Sequence, residues 1–186
     1  MLWRLHLSHE QDYQLLREIA TGDRRAFRAL AEKYSGPLYR FILRQLGRPA
    51  VAEELLQETL LRAYRAAATF EPRAAVSTWL FRIAANLCLN EAQSAHFRHE
   101  VAAEAPGVAT TQADPATALE RKEVGVAVEA ALTALPPQQR AAVQLARFEG
   151  LSYAEIAEVL GVSVGAVDGL LQRARQTLRK QLHHLA

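Results

Sequence analysis

Arg173, Arg175, Arg179 and Lys180 stand close together near the end of the chain, and their chemistry is that of phosphate binding. Cationic side chains gathered on one helix can grip a nucleic-acid backbone without reading its sequence. The chain as a whole is far less basic than this cluster. Its 22 Lys and Arg against 20 Asp and Glu leave a formal charge of +2. Phosphate neutralisation alone cannot hold DNA with so little charge, so any DNA affinity needs a second source. The other reactive side chains point away from catalysis. Histidines at His6/His9, His96/His99 and His183/His184 raise a metal reading. They lack cysteine or carboxylate partners at ligand spacing, so surface histidines are expected and no metal. Cys88 sits among Ala85, Leu87 and Leu89, the setting of a buried small hydrophobe rather than a redox sensor. No nucleophile-base pairing, glycine-rich phosphate loop or paired carboxylates stand out. The sequence therefore predicts no enzyme, no catalytic residue, no cofactor and no small-molecule substrate.

Helices must position these residues, because helix signals dominate and strand patterns are nearly absent. The 186 residues are 50% hydrophobic, enough for a real core. No apolar stretch approaches the roughly 20 residues that span a bilayer, and the first residues, lacking an apolar run before a small-residue cleavage site, lead to the expectation of no signal peptide. One cysteine rules out an internal disulfide and fits a reducing cytoplasm, so a cytoplasmic protein without membrane insertion is expected. A first helix is predicted from about Asp12 to Thr21, ended by Gly22. Asp23 is a good N-cap for a second, which the Ser35-Gly36-Pro37 step should kink or break before Leu38, Phe41, Ile42 and Leu46 continue. Gly47 closes it, and Pro49 suits the start of a third helix over Val51 to about Ala68. A fourth runs from near Ser77 to about Ala95.

From Arg98 to about Ala118 large hydrophobes vanish, and the composition is that of a flexible acidic linker. Helical pattern resumes at Leu119 and continues to Leu135, where Pro136-Pro137 resets the chain. Beyond it lies the clearest local signal. Ser152 can cap a helix, Glu155 completes a capping box, and Leu151 with Ile156 supplies a hydrophobic staple. Gly161 is a natural stop, and Ser163 caps a longer helix to about Leu182. Short helix, glycine-containing turn and longer helix make a helix-turn-helix pattern. Val167, Leu171, Ala174 and Leu178 should face the core, opposite Gly165, Asp168, Gln172, Arg175 and Arg179, with Gly169 and Arg173 alongside. Two packed helices with no DNA role would read the same; the basic cluster is what favours DNA. The predicted fold is all-α, with two small helical domains at 10–97 and 119–186 joined by a flexible linker at 98–118.

Three stretches carry a family resemblance. Glu53-Glu54-Leu55-Leu56-Gln57-Glu58-Thr59-Leu60-Leu61-Arg62-Ala63-Tyr64-Arg65 resembles the polymerase-binding helix of the extracytoplasmic-function (ECF) sigma factors of bacterial RNA polymerase. Thr78-Trp79-Leu80-Phe81-Arg82-Ile83-Ala84-Ala85-Asn86 is similar to their promoter-melting helix, and Leu151 to Arg175 to their second promoter-reading domain. The resemblance implies a region 2-like domain at 10–97 and a region 4-like domain at 119–186. It implies that Glu54, Leu55, Gln57 and Glu58 dock on core RNA polymerase. Their helix would otherwise read as an amphipathic helix with a solvated acidic face. It further implies that Phe70, Ser77, Thr78, Trp79, Arg82, Asn86 and Asn90 meet a melted minus-ten element with a base flipped from the stack. Such a base needs an apolar or aromatic surface and a few polar groups. Trp79 is also a natural core tryptophan, whereas nothing in an apolar core calls for Asn86. Ser163, Gly165, Ala166, Asp168, Gly169, Gln172, Arg173 and Arg175 are implied to face the minus-thirty-five element.

The chain departs from the family pattern twice. Leu89 to Arg98 holds one arginine where members usually carry a run of them. Asp168-Gly169-Leu170 replaces basic or hydroxyl residues; an aspartate there repels phosphate yet can accept from a cytosine amino group. The resemblance implies core RNA polymerase, promoter DNA and an anti-sigma factor as partners. The linker permits two domain arrangements, one sequestered and one spread along a promoter. A decoy that binds anti-sigma proteins and a stand-alone helix-turn-helix regulator are the rival readings.

Overall fold

The computed structural model describes residues 3–72, 74–101, 125 and 127–183, and no strand occurs among them. The named helices are α1 (Trp3–Ala20), α2 (Arg24–Leu46), α3 (Pro49–Ala66), α4 (Val76–Val101), α5 (Pro137–Arg147), α6 (Tyr153–Leu160) and α7 (Val164–Gln181). A 3₁₀ turn, Ala67–Thr69, follows α3, and residues 127–133 are also helical.

Local chemistry sets most of the boundaries as expected. The Asp23 carboxylate accepts from the backbone N–H groups of Arg25 and Ala26, and Gly47 ends α2 in the left-handed region at φ 68°. Pro49 opens α3, where a missing N–H costs nothing. Ser152 and Glu155 form the reciprocal capping box at the start of α6, and Gly161 stops it at φ 65°. The Ser163 hydroxyl then accepts from Ala166 N–H at 3.1 Å to begin α7.

Three boundaries differ. α1 begins at Trp3, well before Asp12. α2 is one helix through Ser35-Gly36-Pro37, so the expected break there does not occur. Pro37 has no N–H for the Lys33 carbonyl, but Tyr34, Leu38, Phe41 and Ile42 on either side are all buried. That shared buried face outweighs one lost backbone bond. α4 runs on through 98–101, since nothing between Glu91 and Val101 breaks a helix. The rest of the expected linker, 102–118, and residues 119–124 lie outside the described residues.

The first four helices share a core built on Leu16, Leu30, Leu38, Phe41, Ile42 and Leu80. Phe41 meets Phe81 edge-on at 5.5 Å between centroids. Buried Asp12 ties α1 to α2 by accepting from Lys33 Nζ and from the Tyr34 hydroxyl. Burial and that carboxylate together push the Tyr34 phenol far above its ordinary range. Cys88 is buried as expected, and desolvation raises its thiol to about 12. Among the described residues no group of histidine, cysteine and carboxylate side chains could hold a metal, and no helix is long and apolar enough to cross a membrane.

The helix Pro137–Arg147 has no counterpart in the sequence-based expectation, which let the proline pair stand only as a reset. Its signals are Pro137 in the first turn and Ala141, Ala142 and Leu145 at helical spacing, all buried. It packs with α6 and α7, and it also touches α2 and α4. α6 lies against α4, so one apolar core runs from α1 to α7. The two predicted helical units are therefore in contact.

Candidate nucleic-acid and partner interfaces

Helix α7 buries Val167, Leu170, Leu171 and Ala174 against α5 and α6, which turns its other face outward. Gly165, Ala166, Gln172, Arg173 and Arg175 are exposed on that face, and Ser163 is exposed at its cap. Gln172, Arg175, Gln176, Arg179 and Lys180 line one open depression. Cations there can reach phosphates while the N-terminal turn faces base edges. Asp168 is half-buried, and its carboxylate accepts from Gln172 Nε2 at 2.8 Å. That bond gives the aspartate a partner within the helix. Arg175 donates to the Tyr153 hydroxyl at 3.4 Å, linking α7 to α6.

Gly169 has ordinary helical geometry, and a Cβ there would meet only the Arg173 guanidinium, 3.3 Å away. The far end of a flexible arginine can move aside. Gly169→Ala should therefore stabilise the chain by roughly 0.5–1 kcal/mol, the helix-propensity difference. A denaturant melt giving equal or lower stability would show that Arg173 is held where it lies.

On α4, Arg82, Asn86 and Asn90 are exposed at four-residue spacing and form one polar stripe. The structure thus brings together three of the seven residues expected at a minus-ten element. Phe70, Ser77 and Trp79 are half-buried. The Phe70 ring meets those of Trp79 at 4.9 Å and Tyr13 at 6.0 Å in tilted contacts, and the Tyr13 hydroxyl donates to the Ala74 carbonyl at 3.1 Å. Nothing in the sequence singled out Tyr13 for this site; from α1 it pins the loop that leads into α4. Trp79 packs against the core through these rings, yet keeps part of its surface open. Thr78 stands apart, fully buried with its hydroxyl unpartnered in the structure.

α3 presents its outer face to solvent. Glu54 and Gln57 are exposed, while Leu55 and Glu58 are partly so. Leu61 and Tyr64, 40% and 38% exposed, add an apolar edge. Thr59 turns inward and donates to the Leu55 carbonyl at 2.7 Å. The Glu58–Arg62 pair at 2.6 Å is surface-exposed and contributes little stability. An apolar strip rimmed by carboxylates suits a protein partner of opposite charge.

A fourth polar cluster lies where the two helical units meet, and nothing in the sequence marked it. Arg140 of α5 donates to the carbonyls of Leu132, Thr133 and Leu135, and also to that of Gln45 at the end of α2. Desolvation lowers its pKa. Gln45 Nε2 donates to Gln144 Oε1 at 3.2 Å, both side chains being buried. The Arg44 guanidinium lies 4.1 Å from the Phe148 ring and 4.0 Å from the Glu149 carboxylate. Burial raises the Glu149 carboxyl despite the opposing pull of Arg44 and Arg40.

Comparison with known proteins places the chain in a family. Residues 30–98 match the Sigma-70 region 2 family and residues 125–178 match Sigma-70, region 4. The chain is 35% identical over 188 residues to the RNA polymerase sigma-H factor of Pseudomonas aeruginosa, covering 96% of this chain and 97% of that one. It is 36% identical over 179 residues to the ECF RNA polymerase sigma factor SigM of Mycobacterium tuberculosis, covering 95% and 88%. Its fold matches CnrH, solved in complex with the cytosolic domain of CnrY, with a TM-score of 0.67 and 28% identity over 95% of this chain and 99% of that one. With both sigma regions in order and full-length relatives at this identity, the chain belongs to the ECF subfamily of the sigma-70 family of RNA polymerase sigma factors.

Proposed function

We propose that the two helical units divide the work of a sigma factor, a transcription initiation factor that directs RNA polymerase to promoters. The first unit, residues 10–97, docks on core polymerase through the outer face of α3 and opens the minus-ten element along α4. The second, residues 119–186, sets α7 against the minus-thirty-five element. The observation that carries this reading is the coexistence in one chain of three outward faces of different chemistry. These are the acidic and apolar face of α3, the Arg82–Asn86–Asn90 stripe of α4 and the basic face of α7. The formal charge of +2 then has a physical reason, since the polymerase supplies the affinity that the subunit lacks. Chemistry belongs to the polymerase, and the reading places the protein in the cytoplasm with it.

The fold neighbour CnrH is held by the cytosolic domain of another protein. By analogy we assign this chain an anti-sigma partner that covers its polymerase or DNA faces.

In vitro transcription with bacterial core polymerase and a library of genomic promoter fragments tests the reading. Transcripts from defined starts should appear only when this protein is added. Silence despite a stable complex with core enzyme would favour a decoy for anti-sigma proteins. Silence with no complex would restore the stand-alone regulator.

Within that assay Asn86 is the sharpest single probe. Asn86→Ala should slow open-complex formation about tenfold, the scale of one lost base contact. Its exposure means that thermal stability should hold within about 0.5 kcal/mol. Wild-type opening on permanganate footprints would remove Asn86 from the melting surface.

A further inference from the structure

Asp168 is the one acidic residue in α7, a helix that otherwise turns glycine, glutamine and arginine outward. A carboxylate set toward DNA repels phosphate, so it weakens binding unless a base edge rewards it. Helix stability does not account for its presence. The bond to Gln172, four residues on, adds little to a helix. Among the described residues Asp168 enters no ion pair that would cancel its charge.

The 2.8 Å bond between the two side chains fixes what they present. A carboxylate only accepts, so the Gln172 amide must turn its NH₂ group to Asp168 Oδ2. Gln172 Oε1 is then held on the side away from that bond, and Asp168 keeps its second oxygen free to accept. Gln172 is exposed and Asp168 half-buried, so these acceptors stand one helical turn apart on the outward face. In the major groove cytosine shows an amino donor with no acceptor of its own beside it. Adenine sets N7 next to its amino group, while guanine and thymine show acceptors. A charged pair of acceptors is satisfied by the cytosine edge and repelled by N7, O6 or O4.

We propose that Asp168 and Gln172 form one reading unit that selects cytosine within the minus-thirty-five element, with Gln172 held in position by Asp168. The unit rests on the reading given above, in which α7 faces that element. Asp168 thereby gives up affinity for DNA in general and gains discrimination. A wrong base leaves its carboxylate desolvated and without a partner in the groove, and such a site rejects the wrong base more strongly than it attracts the right one.

The test starts from a promoter that responds to the full chain with core polymerase. Its minus-thirty-five element is randomised, and barcoded transcripts are sequenced. The wild-type chain should select cytosine at one position by about tenfold over each other base. Asp168→Ala should flatten that position alone and raise transcription from members that lack the cytosine. Asp168→Asn should move the preference toward guanine. Its amide oxygen can still accept from Gln172, which turns the new NH₂ outward to O6 and N7. Gln172→Ala should weaken the selection without reversing it, since the carboxylate remains. A change confined to one base position is an effect that a loss of fold does not produce.

A wild-type pool with no cytosine that depends on Asp168 overturns the proposal and leaves the two-element reading standing. So does a preference for adenine at that position, or a base preference that both Asp168 variants leave unchanged. A pool in which no upstream position matters overturns the two-element reading itself, and the reading unit with it.

Discussion

Glu54→Lys with Glu58→Lys should weaken binding to core RNA polymerase by about 100-fold and leave the fold intact. Both carboxylates stand on the outer face of α3, away from Ala52, Thr59 and Ala63, which hold the helix to the core. No buried contact is lost in the variant. Only the Glu58–Arg62 pair disappears, and an exposed pair at this spacing contributes about 0.3–0.5 kcal/mol. At an interface the two lysines would face a partner whose positive charge complements the native carboxylates. Like charges brought together there cost several kcal/mol, so two reversals amply account for a 100-fold loss, about 2.7 kcal/mol. Titration of labelled protein with core enzyme reads the affinity, and a melt of the free protein checks the fold. Raising the salt should narrow the gap between variant and wild type as the charges are screened. Equal affinities at low salt would mean that α3 is a solvated surface and that polymerase docks elsewhere.

Phe41→Ala should cost about 3–5 kcal/mol of stability, a large part of the roughly 5–15 kcal/mol that a domain has. Phe41 is fully buried in the C-terminal half of α2, and its ring meets Phe81 of α4 edge-on. Removing it opens a cavity between the helix that spans the first unit and the helix assigned to strand opening. The melting temperature should fall by roughly 10 °C or more for a chain of this size. Phe41→Leu should recover most of the loss, because it keeps much of the volume and forfeits mainly the aromatic contact. A small shift for the alanine variant would show that α2 and α4 can close over the gap. The consequence for function is direct. A loosened α4 should impair promoter opening, the step assigned to its exposed stripe.

These two variants probe features of different legibility. The acidic face of α3 could be seen from residue order, because a helix repeats every 3.6 residues and displays its own pattern. The helix-turn-helix was equally open to reading. Its Ser152–Glu155 box, Gly161 stop and Ser163 cap are bonds between residues three or four apart, so chain order alone brings the partners together. The order of α1 to α4 followed from the same kind of evidence at Asp23, Gly47 and Pro49. The helix α5 escaped notice because two prolines draw the eye as a break, although one of them is a sound first residue.

Where local chemistry and burial disagreed, burial decided. Ser35-Gly36-Pro37 carries every sign of a break, and the apolar face on both sides carries α2 through it. Tyr13 reads as one more helix aromatic until the fold places it under Phe70 and the Ala74 carbonyl, 61 residues away. The sequence by itself determined the helical class, the positions of the caps, the helix-turn-helix and the outward chemistry of its faces. Each of these depends on contacts within a few residues or on a repeating pattern. Only the tertiary structure decided that the two units close on each other and that Arg140 serves the end of α2. It also decided that Gln45 and Gln144 meet inside. Those groups lie about a hundred residues apart, and their side chains have no periodicity to announce them. Such pairs become neighbours only when apolar burial folds the chain back on itself, and that is a property of the whole core.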